Sequence, residues 1–304
     1  MSYKSNLERV LSEGGFAVSA EIGPPKGCDP EKISGKAVGL KGFADAFNVT
    51  DNQTAVVRMS SLAGCSMLLD LDMDPILQMA CRDRNRIALQ SDLLGAAALG
   101  VRNVLCITGD HQSFGNHPDA LGVFDLDSIQ LIQVFRNMRD QGVFVSGDEL
   151  LAGRPNVFIG AAANPFMGSV EMRVDRLEKK VCAGADFIQT QSVFNLDVFS
   201  CWLDEVRSRG LDKKVRILAG VTPLKSLRMT QRMKYHVPGV DVPDDVEKRM
   251  KGASDPLDEG FAIALETINR LKQLSGVHGV HITALFWESI IPSLVKEARL
   301  LPRP

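Results

Sequence analysis

Short apolar runs rich in β-branched residues alternate with longer segments of helical periodicity along the whole chain, and this alternation restricts it to an α/β fold. The runs are Phe16–Ile22, Ala44–Thr50, Pro75–Cys81, Asn103–Thr108, Asn156–Ala161, Asp186–Gln191, Val215–Ala219 and Gly279–Ala284. Between them the 3.6-residue period predicts helices at Pro30–Leu40, Ala55–Asp70, Asn85–Ala98, Leu126–Gln141, Val170–Ala183, Leu196–Ser208, Lys225–His236 and Asp258–Leu274, with Ile290–Arg299 after the last run. Eight strands shared among 304 residues leave roughly 38 residues per repeat, a little above one βα unit, and nothing resembles a linker. The expectation is a single (β/α)8 TIM barrel over residues 1–304 with an extra N-terminal helix. Gly100 and Gly184 stand where helices turn into strands, the place for a left-handed C-cap. A doubly wound sheet would need a Gly-rich dinucleotide turn after an early strand, and Gly14 and Gly15 precede the first one instead.

Charge narrows the function classes. Lys and Arg number 35 against 37 Asp and Glu, a net −2, so no bulk field attracts nucleic acid or an anionic membrane, while a local basic site for one phosphate stays compatible. With 45% hydrophobic and 24% charged residues, disordered and fibrous classes are excluded. The longest nearly apolar stretch, Leu93–Val101, is about half of the ~18 residues a membrane helix needs. The N-terminus carries no signal-type apolar region, so a cytoplasmic protein is expected. Cys28, Cys65, Cys81, Cys106, Cys182 and Cys201 form no C-x-x-C pair, which argues against a zinc knuckle or a disulfide framework. Cys81 and Cys106 read as core fillers and Cys28 as exposed.

In a barrel the active site lies at the carboxyl ends of the strands, and there this chain is unusually polar. Glu21, Thr50–Gln53, Arg82–Asn85, Thr108–Gln112, Asn164 and Thr190–Gln191 follow the runs, a ring of hydrogen-bonding groups suited to a polar, planar ligand rather than a metal. His111 and His117 complete no metal-ligand spacing. Glu21 ends an apolar strand and precedes Pro24 and Pro25, so its carboxyl is partly desolvated and held still, as a general acid near neutrality requires. The alternative is an ion pair with Arg82 or Lys26. Asp110 sits in a Gly-Asp-His turn, either as a functional carboxylate or as a local cap, and Gly109 before it lets backbone approach a ligand. The Thr108–Pro118 stretch opens a long connection suited to a lid. Apart from any ligand, Lys179 and Lys180 read as a solvated charge pair, and Phe199 and Trp202 as core.

Ser19-Ala-Glu21-Ile-Gly-Pro24-Pro25, Asn48-Val-Thr50, Ile107-Thr-Gly109-Asp110, Leu177–Ala185, Thr190-Gln191 and Ala219–Pro223 occur in the order of the methylenetetrahydrofolate reductase family, which the chain resembles over most of its length. Asn52–Ser61 and Gly109–Pro118 are most similar to the reductases of acetogenic and other anaerobic bacteria. The resemblance implies a flavin-bearing barrel that reduces 5,10-methylenetetrahydrofolate to 5-methyltetrahydrofolate. It implies Glu21 as the acid that opens the folate's five-membered ring, and Asp110 as the carboxylate beside the flavin N1 edge and the folate. Gln191 is implied as a pterin contact, Thr50 as a hydroxyl near flavin N5 and Lys180 as a flavin phosphate contact. Gln78, Thr108, Gly109 and Asn164 complete the implied cofactor site. Gln78, Asn164, Thr108 and Arg173 replace a His, a Tyr, an Arg and an Asp of the best-known bacterial enzymes, and Phe286-Trp287 replaces an Asn-Arg pair. These departures leave FAD and FMN both open. They imply that an electron-donor protein subunit, in place of a nicotinamide alone, delivers electrons through an apolar patch near Asp110–Pro118 or the C-terminal Leu294–Pro304, within a homo- or hetero-oligomer. A pterin- or corrinoid-dependent methyltransferase without flavin and a non-catalytic electron-transfer subunit are the alternatives, the latter opposed by Glu21, Asp110 and Gln191 standing together.

Overall fold

All eight β-rich runs form strands, and they pair in parallel in chain order until β1 closes on β8. The computed structural model describes residues 3–303. Its elements are α1 (Asn6–Ser12), β1 (Ala17–Ile22), α2 (Glu31–Val38), β2 (Ala46–Val49), α3 (Ser61–Leu69), β3 (Pro75–Ala80), α4 (Arg86–Leu99), β4 (Asn103–Ile107), α5 (Ser128–Arg136) and β5 (Phe158–Ala163). There follow α6 (Val170–Ala183), β6 (Phe187–Ser192), α7 (Leu196–Ser208), β7 (Arg216–Val221), α8 (Leu227–His236), α9 (Asp244–Gly252), α10 (Pro256–Leu271), β8 (Gly279–Ile282) and α11 (Ile291–Glu297). This is a (β/α)8 barrel with the expected extra helix at its N-terminus. Among the described residues no helix is long and apolar enough to cross a membrane.

Period-two alternation divides every strand between two cores. Outward residues such as Val18, Val104 and Ile188 meet the helices, where Phe135, Phe199 and Trp202 are fully buried, as the helical spacing of the last two predicts. Inward residues at the amino ends, Ala17, Ala46, Ile76, Leu105, Phe158, Phe187 and Leu218, form a separate apolar floor. Leu7 and Leu11 of α1 pack against that floor, so the extra helix is a plug at the end opposite the site. Side chains lace this end together. Asp45 accepts from Val18 N at 2.7 Å, Asp186 from Ile159 N at 2.8 Å, and Asp74 caps α1 through Asn6 N at 2.9 Å and Leu7 N at 3.3 Å.

Helix ends follow local chemistry. Gly184 has φ 116°, a left-handed position that any side chain would strain, and it stops α6 as expected. The helix expected at Ala55–Asp70 starts only at Ser61, because Thr54 and Ala55 take left-handed φ and Ser60 supplies the cap by accepting from Ala63 N. The helix expected at Leu126–Gln141 is α5, started by an Asp127–Gln130 capping box and finished by one wide π turn over Asn137–Gln141. Helix α9 is unforeseen, since its charged sequence shows only Val246 and Met250 at helical spacing. It is held by tertiary packing, in a small cluster with Phe194, Met233, Val242 and Ile263. Cys81 and Cys106 are buried and Cys28 exposed, in line with their sequence settings.

Candidate active site

Two residues above the apolar floor several inward positions turn polar. Ser19, Asn48, Gln189 and His281 are buried and bonded to one another across the barrel: Asn48 Nδ2 donates to Gln189 Oε1 at 2.6 Å, Gln189 Nε2 to Ser19 Oγ at 3.1 Å, and Ser19 Oγ meets His281 Nδ1 at 3.0 Å. Burial pushes the His281 imidazole down to about 4, so this layer is neutral at physiological pH. The sequence reading misses Gln189 and His281 as part of the site. Their signal is a polar residue two positions before Gln191 and Thr283, which alternation places on the same inner face.

Another step of two reaches the mouth, where Glu21, Thr50 and Gln191 lie on that face; Gln78 lies one step above the floor residue Ile76, and Asn164 three steps above Phe158. Glu21 is half-buried and accepts from Gln53 Nε2 at 3.2 Å, and it is paired with neither Arg82 nor Lys26. Desolvation raises its carboxyl to about 7, against a lowering by the Gln53 bond and by the positive Arg58, while Glu288 adds to the rise. Thr50 is fully buried and its hydroxyl has no hydrogen-bond partner.

The turn after β2 ties the two candidate carboxylates together. Gln53 bonds Glu21, and the next residue, Thr54, donates its backbone N–H to Asp110 Oδ2 at 3.1 Å. Asn52, Thr54 and Ala55 hold φ of 45°, 58° and 55°, three left-handed non-glycine residues within four positions. Strain of this kind costs roughly 1–3 kcal/mol per residue and persists only where surrounding contacts over-determine it. Arg82 supplies those contacts. It is 3% exposed, forks onto Asp83 at 2.8 and 2.7 Å, and donates to the carbonyls of Asp110 at 3.1 Å and Asn52 at 3.3 Å. Below it Arg84 forks onto Asp51 at 2.6 and 3.3 Å. The sequence reading places Arg82 on the rim without foreseeing that it fastens two carboxyl-end loops.

The remaining candidates scatter around this centre. Asp110 itself is exposed, and Gly109 takes φ 89° between the Arg82 and Ala80 side chains. Thr108 is exposed and its hydroxyl accepts from Ser128 N at the start of α5, a capping role that accounts for it locally. Gln78 is half-buried, and its carbonyl accepts from Ser61 Oγ. Asn164 Oδ1 accepts from Phe166 N, and Arg173 folds back onto the carbonyls of Pro165 and Ser169. Gln191 sits where the β6–β7 register shifts, an irregularity that re-aims side chains at a barrel rim, and its Oε1 accepts from Ser192 N. Lys180 overturns the solvated reading: it is buried, its Nζ donates to Ala162 O at 2.6 Å, and desolvation lowers it to about 8. Lys179 remains exposed.

Glu21 opens onto a cleft of about 290 Å³ between the β1 loop, α2 and the segment after β8. Pro24, Pro25, Leu285 and Phe286 give it apolar walls, and Lys32, Lys36 and Arg58 give it charge. Phe286 is 77% exposed at φ 55°, with Lys225 Nζ 5.8 Å from its ring centre. The C-terminal tail lies elsewhere. Arg303 pairs with Asp45 at 2.8 Å, beside the amino end of β2, so that tail borders the plug and not the mouth; Pro304 lies outside the described residues.

The barrel has counterparts among known proteins. A solved structure described as an uncharacterized protein from Clostridium thermocellum that binds two copies of 5-methyl-5,6,7,8-tetrahydrofolic acid superposes with a TM-score of 0.67 at 14% identity, covering 98% of this chain and 100% of that one. A 2,3-dimethylmalate lyase of the PEP mutase/isocitrate lyase superfamily superposes at 0.51 with 14% identity over 98% of this chain and 83% of its own, a likeness of fold. In sequence, the Schizosaccharomyces pombe methylenetetrahydrofolate reductase 1 is 23% identical over 240 residues, 76% of this chain and 37% of the relative. A probable methylenetetrahydrofolate reductase (NADPH) of Caenorhabditis elegans is 23% identical over 97% of this chain and 44% of its own length. The chain thus spans less than half the length of these curated relatives. The model of one family, methylenetetrahydrofolate reductase, matches it continuously from residue 6 to residue 299, across every strand of the barrel and the carboxyl-end loops that carry Glu21 and Asp110, and the chain belongs to that family.

Proposed function

We propose that this chain, as one barrel domain, reduces 5,10-methylenetetrahydrofolate to 5-methyltetrahydrofolate with the help of a bound flavin. The observation that carries the reading is Glu21: a carboxyl near 7, half-buried at the barrel mouth and held by Gln53, is protonated in a useful fraction of molecules at neutral pH. Its proton goes to the folate nitrogen that leaves the bridging carbon, the C–N bond breaks, and the resulting cationic iminium accepts hydride to become the methyl group. Asp110, fixed by Thr54 N–H, supplies a counter-charge to that cation. Gln191 binds the pterin, and the neutral Ser19–Asn48–Gln189–His281 layer gives the mouth a rigid, dry floor.

The mouth suits a flavin. The buried, unpartnered Thr50 hydroxyl offers a hydrogen bond, Gln78 shares its face, Gly109 brings backbone to the rim, and Asn164 and Thr108 border it. Lys180 holds a buried amine below Ala162 that suits a phosphate. The flavin, FAD or FMN, supplies hydride when bound. Membership of the family and the fold shared with a folate-binding barrel support this reading. An electron-donor protein fits the exposed apolar residues Phe114 and Leu121 on the connection between β4 and α5, 66% and 95% accessible. The six free cysteines suit a reducing, cytoplasmic setting. The test is direct: the purified protein should show an oxidised-flavin spectrum, and methylenetetrahydrofolate should reoxidise the chemically reduced flavin. Folate binding without any flavin spectrum would favour a methyltransferase barrel instead.

A further inference from the structure

Among the described residues the Glu21 carboxyl has a single hydrogen bond, the one from Gln53 Nε2 at 3.2 Å, and the Gln53 side chain makes no other. That pairing hangs on a short, strained turn. Gln53 stands between Asn52 and Thr54, both left-handed, so contacts from outside must hold it in place. Toward β1, Arg58 Nη1 donates to Pro24 O at 3.1 Å and Met59 N to Pro25 O at 2.9 Å. Toward the connection between β4 and α5, Thr54 N donates to Asp110 Oδ2 at 3.1 Å and Val57 N to Asn116 Oδ1 at 3.0 Å. Gly115 is the seat of this second set. Its φ of −98° is open to any residue, yet a Cβ there would collide with the Ala55 carbonyl, so only a glycine lets the connection close on the turn.

We propose that Gln53 is a positioning residue for Glu21: its amide fixes which carboxyl oxygen carries the acid proton, and the connection seated at Gly115 holds the amide to that task. This role rests on Glu21 being the acid, as proposed above. An amide N–H needs a bare oxygen to donate to, so Oε1 stays the acceptor and the proton is left to Oε2. Burial raises the carboxyl most; the Gln53 bond opposes it by favouring the charged form, Glu288 adds to the rise and Arg58 lowers it. Lys32 and Lys36 face the same cleft from α2, and Lys36 is paired with Glu288 at 2.6 Å. Without the amide, Glu21 keeps its proton to higher pH and carries it on either oxygen.

NMR of the purified protein carrying carboxyl-labelled glutamate reads the titration of Glu21 without any folate, its signal assigned by its loss in Glu21→Gln. Gln53→Met keeps the length of the side chain and removes the amide, and should raise the Glu21 midpoint by about one pH unit. Gly115→Ala, on the other loop, should raise it too by displacing the turn. Asn116→Ala cuts the Val57 bond and should raise it less; Asn116 is exposed, so this variant keeps the fold whatever Gly115→Ala does. Gln53→Met combined with Asn116→Ala should titrate as Gln53→Met alone, because the loop acts only through the amide already lost. The pH above which methylenetetrahydrofolate no longer reoxidises reduced flavin should rise with the NMR midpoint. A wild-type midpoint in Gln53→Met or in Asn116→Ala, or shifts that add in full when the two are combined, overturns the positioning role and leaves the acid reading standing. A midpoint that moves while the pH limit of the reaction stays in place overturns the acid reading, and the positioning role with it.

Discussion

Glu21 is a residue whose protonation is set by its surroundings, and its two consequences have opposite signs with pH. In its proposed role of general acid it works while protonated, and on that proposal reoxidation of reduced flavin by methylenetetrahydrofolate should fall as pH rises through about 7. Glu21→Gln should retain flavin and its chemical reduction yet slow that reoxidation by ~10²–10⁴-fold, with the pH dependence gone; a variant keeping more than about a tenth of the rate excludes the role. In stability, a carboxyl raised above its unfolded value of 4.5 favours the folded state below that value and loses the benefit as pH climbs to about 7. Glu21→Gln should therefore melt higher than wild type at pH 8, by a margin that disappears in thermal scans near pH 4. Asp110→Asn should raise the flavin midpoint potential, because a negative charge beside the reduced ring disfavours its anion; redox titration returning the wild-type potential would make Asp110 a tie for the Thr54 turn alone. Lys180→Ala should lower flavin occupancy after gel filtration. That Glu21, Asp110 and Gln191 stand at the carboxyl ends of strands was legible in sequence. The burial of Lys180 was not, because a Lys-Lys pair on a helix looks the same whether its second member faces solvent or bends under Ala162.

At the scale of elements, the plug and the β2 turn carry the arguments that sequence could not. Helix α1 has only seven residues, too few to persist alone, and is held by Leu7 and Leu11 against the barrel floor and by Asp74 at its N-terminus. Leu7→Ala should cost about 2–5 kcal/mol in urea unfolding, as a fully buried leucine in a packed floor does. Desolvation raises the Asp74 carboxyl to about 7, against the lowering by the Leu7, Asn6 and Asn103 bonds, so the plug costs more to hold as pH rises through that value. The turn after β2 shows the converse limit. The periodicity predicts a helix from Ala55, and the Arg82, Glu21 and Asp110 contacts of the preceding turn hold Asn52, Thr54 and Ala55 left-handed instead.

For the whole molecule, the proposed delivery of electrons by a partner protein is framed by the fold. Phe114 and Leu121 expose apolar surface beside the mouth, while the C-terminal segment is committed to the opposite end by Arg303. Stopped-flow mixing with NADH should bleach the flavin slowly or not at all, and a cell extract should restore bleaching; full bleaching by NADH within one turnover time would remove the need for a donor protein. A separate substitution of Leu121 to Asp should impair reduction through the extract while leaving dithionite reduction unchanged.

The sequence by itself determined the barrel, because each βα repeat carries its own strand, helix and cap signals and parallel strands joined by helices close in chain order. It also determined which residues stand at the mouth, since those follow strands directly. Only the tertiary structure decided what those residues are: that Glu21 is half-buried near Gln53 and Arg58, that Arg82 fastens two loops, and that Gln189 reaches Asn48 across the barrel. Burial and hydrogen bonding between positions more than a hundred residues apart are properties of the closed barrel, and no local pattern along the chain encodes them.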